Sequence, residues 1–319
     1  MAIGSVGVIG CSGFVGSHVA AELLAQGFNV HGTLRDPGGR DTGWLTKGVG
    51  GGASHGAALT LHDADAENEA ALRKALAGCS GVIVCVGTEK QEQATIDFMV
   101  GMAERITDIA ADLEMEAAVF TSSTGSTNPP GDEPALKVEA EHWSDPDVQI
   151  AAGKFSPAAK TLMDRAVLRK MEESGAKLRT ATINPSLIAG PCFQPEPVNS
   201  LKMFAAILNG KRFEGGALNS SMSIIDARDL ARLHVAALTR PDAHGRYFGV
   251  KESWHWQDIL AALARVVPEY TMPAADPDVE RVRPTQFDLS RQNSLGVAVR
   301  GLDEILEGVM GELRRRGMI

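Results

Sequence analysis

The chain has 319 residues, of which 44% are hydrophobic and 22% charged, with a net charge of −9. It can bury a core large enough for one sizeable domain or two linked lobes. That charge argues against a general nucleic-acid binder, which needs a concentrated basic surface, and Arg314-Arg315-Arg316 reads as the solvated end of a helix. No stretch reaches the roughly 18 apolar residues of a membrane span. The first apolar residues read as a strand rather than a leader, so no membrane partner and a reducing, cytoplasmic setting are expected. Cys11, Cys79, Cys85 and Cys192 have neither metal-ligand nor disulfide-framework spacing, so no metal is expected.

The first strand, Val6 to Ile9, runs into Gly10-Cys11-Ser12-Gly13-Phe14-Val15-Gly16, and a helix follows with Val19, Leu23 and Leu24 on one face. A strand, a glycine-rich turn and a helix in this order suit the pyrophosphate of a dinucleotide. Small residues let the backbone approach the phosphates, and the helix start offers unpaired N–H groups. Strand two is Phe28 to Leu34, closing at Arg35-Asp36-Pro37, and the glycine-rich stretch 48–56 reads as a surface loop. A third strand (57–61) and a helix (67–77) precede Val82 to Val86, a continuous apolar run suited to a strand covered on both faces. A long helix (94–113), a strand (117–121), a helix (156–173) and a strand (179–184) continue the alternation. The pattern predicts an α/β chain with a Rossmann-type, doubly wound parallel sheet. Beyond Pro191 proline and glycine are frequent, and helical pieces such as 256–267 and 302–315 dominate. The expected division is a dinucleotide-binding domain over 1–190 and a smaller, mainly substrate-binding lobe over 191–319, with some segments returning to the sheet.

An acidic residue ending strand two grips the ribose of NAD, whereas an arginine there suits the 2′-phosphate of NADP. Here the strand ends in Arg35, and Arg40 is a second candidate contact, so NADP(H) is the expected cofactor. Gly10 to Gly16 followed by Gly32-Thr-Leu-Arg-Asp-Pro37 resembles the extended short-chain dehydrogenases/reductases, in the branch of dihydroflavonol 4-reductase and cinnamoyl-CoA reductase. The resemblance extends through His62 to Asp65, Cys79 to Thr88, Val119 to Asn128, Glu141 to Asp145, Asn184 to Pro191, Ile224 to Ala231 and Gly245 to Phe248. It implies cofactor contacts from Gly10, Ser12, Gly13, Phe14, Val15 and Gly16 at the phosphates, and from Arg35 and Arg40 at the 2′-phosphate. Asp65 and Ala66 would lie beside the adenine, and Val86, Gly87 and Thr88 would follow the fourth strand. Lys160 would hold the ribose, and Pro185, Ser186 and Leu187 would pack on the nicotinamide.

Members of the family reduce a carbonyl with a serine that fixes its oxygen, a tyrosine that donates the proton and a lysine four residues later. Ser123 matches the serine and Lys160 the lysine, but Ser156 stands at the tyrosine position, between Phe155 and Pro157. Tyr247 and Tyr270, the two tyrosines, lie far along the chain. Ser156-Pro157 also reads as a helix start with serine as cap. The proton would then come through Ser156 and water held by Lys160, or from His142 or Lys154. Asn128 matches a substrate-pocket position or serves as a turn residue, and Met203, Phe204, Ile207 and Leu208 read as a core face or a pocket wall.

The expected activity is NADPH-dependent reduction of a ketone or aldehyde on a small organic substrate, aromatic ones included, by a monomer or homodimer. A non-catalytic NADP(H) sensor and a nucleotide-sugar epimerase or dehydratase are the alternatives.

Overall fold

The computed structural model describes residues 4–87, 90–175, 177–214, 216–273 and 279–319. Among these, the strands in chain order are β1 (Ser5–Ile9), β2 (Asn29–Leu34), β3 (Leu59–Asp63), β4 (Gly81–Val84), β5 (Ala117–Thr121), β6 (Arg179–Pro185), β7 (Leu187–Ala189), β8 (Ser221–Asp226), β9 (Gly245–Gly249) and β10 (Glu252–His255). The helices are α1 (Phe14–Ala25), α2 (Glu69–Leu76), α3 (Gln93–Asp112), α4 (Pro146–Ala151), α5 (Phe155–Glu173), α6 (Asn199–Leu208), α7 (Ala227–Thr239), α8 (Trp256–Val266), α9 (Ser290–Ser294) and α10 (Leu302–Arg315).

Seven strands form a parallel sheet in the order β3-β2-β1-β4-β5-β6-β9. Side chains alternate between the faces of each strand, so one apolar run feeds two cores. Val6, Val8, Ile83 and Val119 pack toward α1 and α7. Ile9, Val82, Val84 and Phe120 pack toward α2, α3 and α5. The result is a Rossmann-like α/β sandwich whose order reverses between β1 and β4, where a crevice opens at the strand ends. A second sheet, β10-β8-β7, joins α6, α8 and α10 around a third core containing Phe204, Trp256 and Leu306. The later half of the chain also returns to the main sheet, through β9 on its edge and α7 on its face.

Several local expectations are corrected. The stretch 48–56 is not all loop: a π-helical turn, Trp44–Val49, and a 3-10 turn, Gly50–Gly52, lead into it, because Leu45 and Val49 are buried against the core under α1. The third strand lies two residues later than expected. Ser156 is not a helix cap, because α5 already begins at Phe155 with Lys154 at the cap position. Gly153 ends α4 at φ +71, and the Lys154 N–H donates to Gln149 O at 2.8 Å, so α4 turns directly into α5 upstream of Ser156. Arg316 is not solvated: its side chain is 11% exposed and pairs with Glu312. The core-face reading of the α6 set agrees with the structure: Phe204, Ile207 and Leu208 are buried in the third core, with Met203 packed against it.

Candidate active site

The turn after β1 owes its shape to two glycines. Gly10 has φ +80, and a Cβ there would lie 2.9 Å from Cys85 O. A Cβ on Gly16 would lie 2.1 Å from Gly10 O, so α1 can start this close to the strand only with glycine at that position. Gly13 caps α1 with no side-chain bond, and the first turn carries no acidic residue. Its N–H groups and the positive end of the dipole are thus left for an anion.

In front of this turn lies a cavity of about 630 Å³. Gly10, Ser12 and Gly13 form its floor, Arg35 and Arg40 one wall, and Asp65, Ala66, Val86 and Gly87 the rest of the expected set. Arg35 Nε lies 3.7 Å from Asp65 Oδ2, and both side chains are exposed to the opening. Phe14, Val15 and Gly16 lie behind the floor, in the first turn of α1. A dinucleotide fits this donor set: the cradle excludes side chains, the uncapped helix faces it, and two guanidinium groups stand where a 2′-phosphate requires cations. Thr88 lies outside the described residues.

Lys160, one turn into α5, joins the far end of this cavity to the sheet. Its Nζ donates to Val86 O at 3.1 Å and to Thr121 O at 2.7 Å. Burial lowers its pKa to about 8, against the opposing pull of Asp164 and Cys85. Beneath it, the Thr121 hydroxyl lies 2.8 Å from His234 Nε2, while His234 Nδ1 faces Leu230 O at 2.8 Å. Burial lowers the His234 pKa to about 4, so the ring is neutral, and the carbonyl at Nδ1 makes Nε2 the acceptor of the Thr121 proton. Burial also pushes Cys11 and Cys85 up to about 12, which leaves both as thiols rather than nucleophiles.

Ser123 follows β5, and its Oγ accepts from Gly125 N at 3.0 Å, leaving the hydroxyl proton to be donated elsewhere. A buried polar frame fixes that turn. Asn184 Nδ2 donates to Ser123 O at 3.1 Å and to Asp164 Oδ2 at 2.9 Å, and Ser126 Oγ lies 2.7 Å from the same carboxylate oxygen. Arg246, stacked 3.7 Å over Trp143, completes it with Nε 3.4 Å from Asp164 Oδ2. Gln149 Nε2 and Ser144 Oγ both donate to Gly125 O.

Ser156 sits in the first turn of α5, where its N–H donates to Gln91 Oε1 at 3.1 Å. His142 Nδ1 accepts from Val138 N at 2.9 Å, which gives that ring a turn-holding partner, and Lys154 is exposed. Asn128 Oδ1 accepts from Lys137 Nζ at 2.5 Å. Ser123, Ser156, Lys160 and the segment Pro185, Ser186 and Leu187 are not among the cavity-lining residues. Pro185 ends β6, Leu187 opens β7, and the Ser186 hydroxyl lies 3.9 Å from Met222 Sδ. Lys90, Glu92, Thr95 and Phe98, around the start of α3, line the cavity but carry no sequence motif that would have singled them out.

The model of the NAD dependent epimerase/dehydratase family matches residues 6–250. Cinnamoyl-CoA reductase 1 of Petunia hybrida is 29% identical over 315 residues, covering 97% of this chain and 92% of that protein. Solved structures share the fold. Vestitone reductase from alfalfa (Medicago sativa) has a TM-score of 0.85 at 22% identity, covering 99% of this chain and 100% of that one. Yeast methylglyoxal/isovaleraldehyde reductase Gre2, complexed with NADPH, has a TM-score of 0.76 at 20% identity, covering 99% of this chain and 100% of that one. A match over this much of the chain, with the glycine turn and the seven-stranded sheet it requires, shows that the chain belongs to the NAD dependent epimerase/dehydratase family.

Proposed function

We propose that this chain is an NADPH-dependent reductase of a ketone or aldehyde on a small organic substrate. The observation that carries this reading is the cavity that sets Arg35 and Arg40 against the glycine turn, with Lys160 anchored to its edge at Val86. The relatives named above as reductases support the same class of reaction. Residues 1–190 would hold the dinucleotide, and 191–319 would mainly shape the space for the substrate.

When bound, the nicotinamide would supply the hydride. Ser123, its lone pair engaged by Gly125 N, donates its proton toward the carbonyl oxygen and orients it. Ser156 occupies the place of the family's tyrosine, and an aliphatic hydroxyl is too weak an acid to replace a phenol. Lys160 would supply the proton instead: two of its three N–H bonds are held by backbone carbonyls, and the ammonium retains one further donor. Its pKa of about 8 suits proton donation near neutral pH. A positioned general acid is worth roughly 10²–10⁴-fold in rate, and removing the Lys160 ammonium should cost on that scale.

Arg35→Ala tests the cofactor assignment. A charge-assisted contact to phosphate is worth about 1.5–3 kcal/mol, so NADPH binding should weaken roughly 10- to 100-fold while NADH binding changes less than about twofold. Equal losses for the two cofactors, measured by fluorescence titration, would remove the 2′-phosphate role. Tight NADPH binding without turnover of any carbonyl would favour the sensor reading.

A further inference from the structure

The segment between β7 and α6 lies against the start of α1. Gln194 Nε2 donates to Ser12 O at 3.2 Å and to Ser17 Oγ at 3.0 Å. The Ser17 hydroxyl in turn donates to Phe14 O at 3.0 Å, so one amide ties the glycine turn to the first turn of the helix. Beside it, His18 Nε2 lies 2.9 Å from Pro191 O, and the Phe193 ring packs 4.9 Å from the His18 ring.

The other side of the same segment is held from α10. Arg316 Nη1 donates to Pro195 O at 2.6 Å and Nη2 to Gln194 O at 2.6 Å, while Nε pairs with Glu312 at 2.6 Å. Both side chains of that ion pair are nearly buried, at 11% and 5% exposure. Three prolines among residues 191–197 remove backbone donors and bar the segment from a strand ladder. Its carbonyls therefore depend on outside partners: Arg316 meets those of Gln194 and Pro195, and His18 lies against that of Pro191. Gln194 Oε1 is buried and meets no hydrogen-bond partner among the described residues, an unfavourable placement for an amide oxygen.

We infer that Gln194 and Arg316 are positioning residues for the dinucleotide. Arg316 fixes the segment, and through it Gln194 fixes the Ser12 carbonyl and the first turn of α1 in the shape that receives the pyrophosphate. Neither residue lines the cavity, so both act through the turn. The inference rests on the reading of this turn as a dinucleotide site. It accounts for the burial of Arg316, just beyond α10, where the sequence reading placed the whole arginine run in solvent.

The test compares wild type, Gln194→Met, Arg316→Met and the double variant. NADPH dissociation constants are measured by fluorescence titration, and amide exchange over residues 12–17 is measured in cofactor-free protein. Each single variant should bind NADPH about tenfold more weakly, the scale of one lost hydrogen bond, with faster exchange over 12–17. KM for NADPH should rise while kcat at saturating NADPH holds. The double variant should match the worse single, because the two residues act in series. Additive losses, or faster exchange with an unchanged dissociation constant, would overturn the inference alone. Absence of saturable NADPH binding in wild type would instead overturn the cofactor reading. Should Arg316→Met fail to fold, Gln194→Met decides: an unchanged dissociation constant removes the positioning role.

Discussion

With backbone carbonyls rather than a carboxylate as its bonded partners, the Lys160 ammonium loses more to burial than it regains, and its pKa falls from the ordinary lysine value to about 8. The proton is present below pH 8 and lost above it. In the proposed reductase, kcat should therefore be level below about pH 8 and fall roughly tenfold per unit above it. Ser156→Tyr should raise kcat by at least about tenfold, because a phenol one turn from Lys160 adds a second donor whose pKa the neighbouring ammonium lowers. A wild-type profile flat through pH 9.5, measured under single-turnover conditions, would remove Lys160 as the donor. At this scale the sequence exposed residues whose role is read from neighbours along the chain: Arg35 at a strand end, Ser123 after β5, Lys160 on its helix. Gln194 escaped notice because its partner Ser12 is 182 residues away, and only the fold brings the two together. Arg316 escaped for the same reason, since a run of arginines at a helix end gives no sign of the carbonyls beneath it.

Among the elements, the glycine turn with α1 has the least freedom. Gly16→Ala places a methyl group 2.1 Å from the Gly10 carbonyl oxygen, and neither backbone can yield without opening the turn. Overpacking of this kind costs about 1–3 kcal/mol. The variant should lose that much stability in urea unfolding and bind NADPH more than tenfold less tightly. Unchanged values for both would show that the turn yields freely. The buried strand β4 was legible because a continuous apolar run bounded by glycine has few other uses, β1 because it runs into the glycine turn, and β5 from its place in the alternation. β7 and β10 were not, at three and four residues with half-buried patterns. The π-helical turn at Trp44 was hidden by the glycines that follow it. Its winding comes from burial of Leu45 and Val49 against α1, which a local reading of composition does not contain.

For the molecule as a whole, alternation of strands and helices announced the sheet, and the change in texture after Pro191 announced a second body of structure. The return of α7 and β9 to the sheet was expected only in outline, because their place depends on long-range packing against α1 and β6. That return matters for the site. It sets His234 beneath Thr121, and it brings Arg246 to the Asp164 frame that holds the turn after Ser123. The chain thus draws on both halves of its length to fix Lys160 and the turn after Ser123. The most direct measurement is transfer of label from NADPH carrying deuterium at the reactive C4 position, incubated with wild-type protein and a panel of aromatic and aliphatic aldehydes and ketones. Reduction by this site predicts deuterium on the carbinol carbon of at least one alcohol product, with equivalent loss from the cofactor. Saturable NADPH binding with no deuterium in any product across the panel would contradict it.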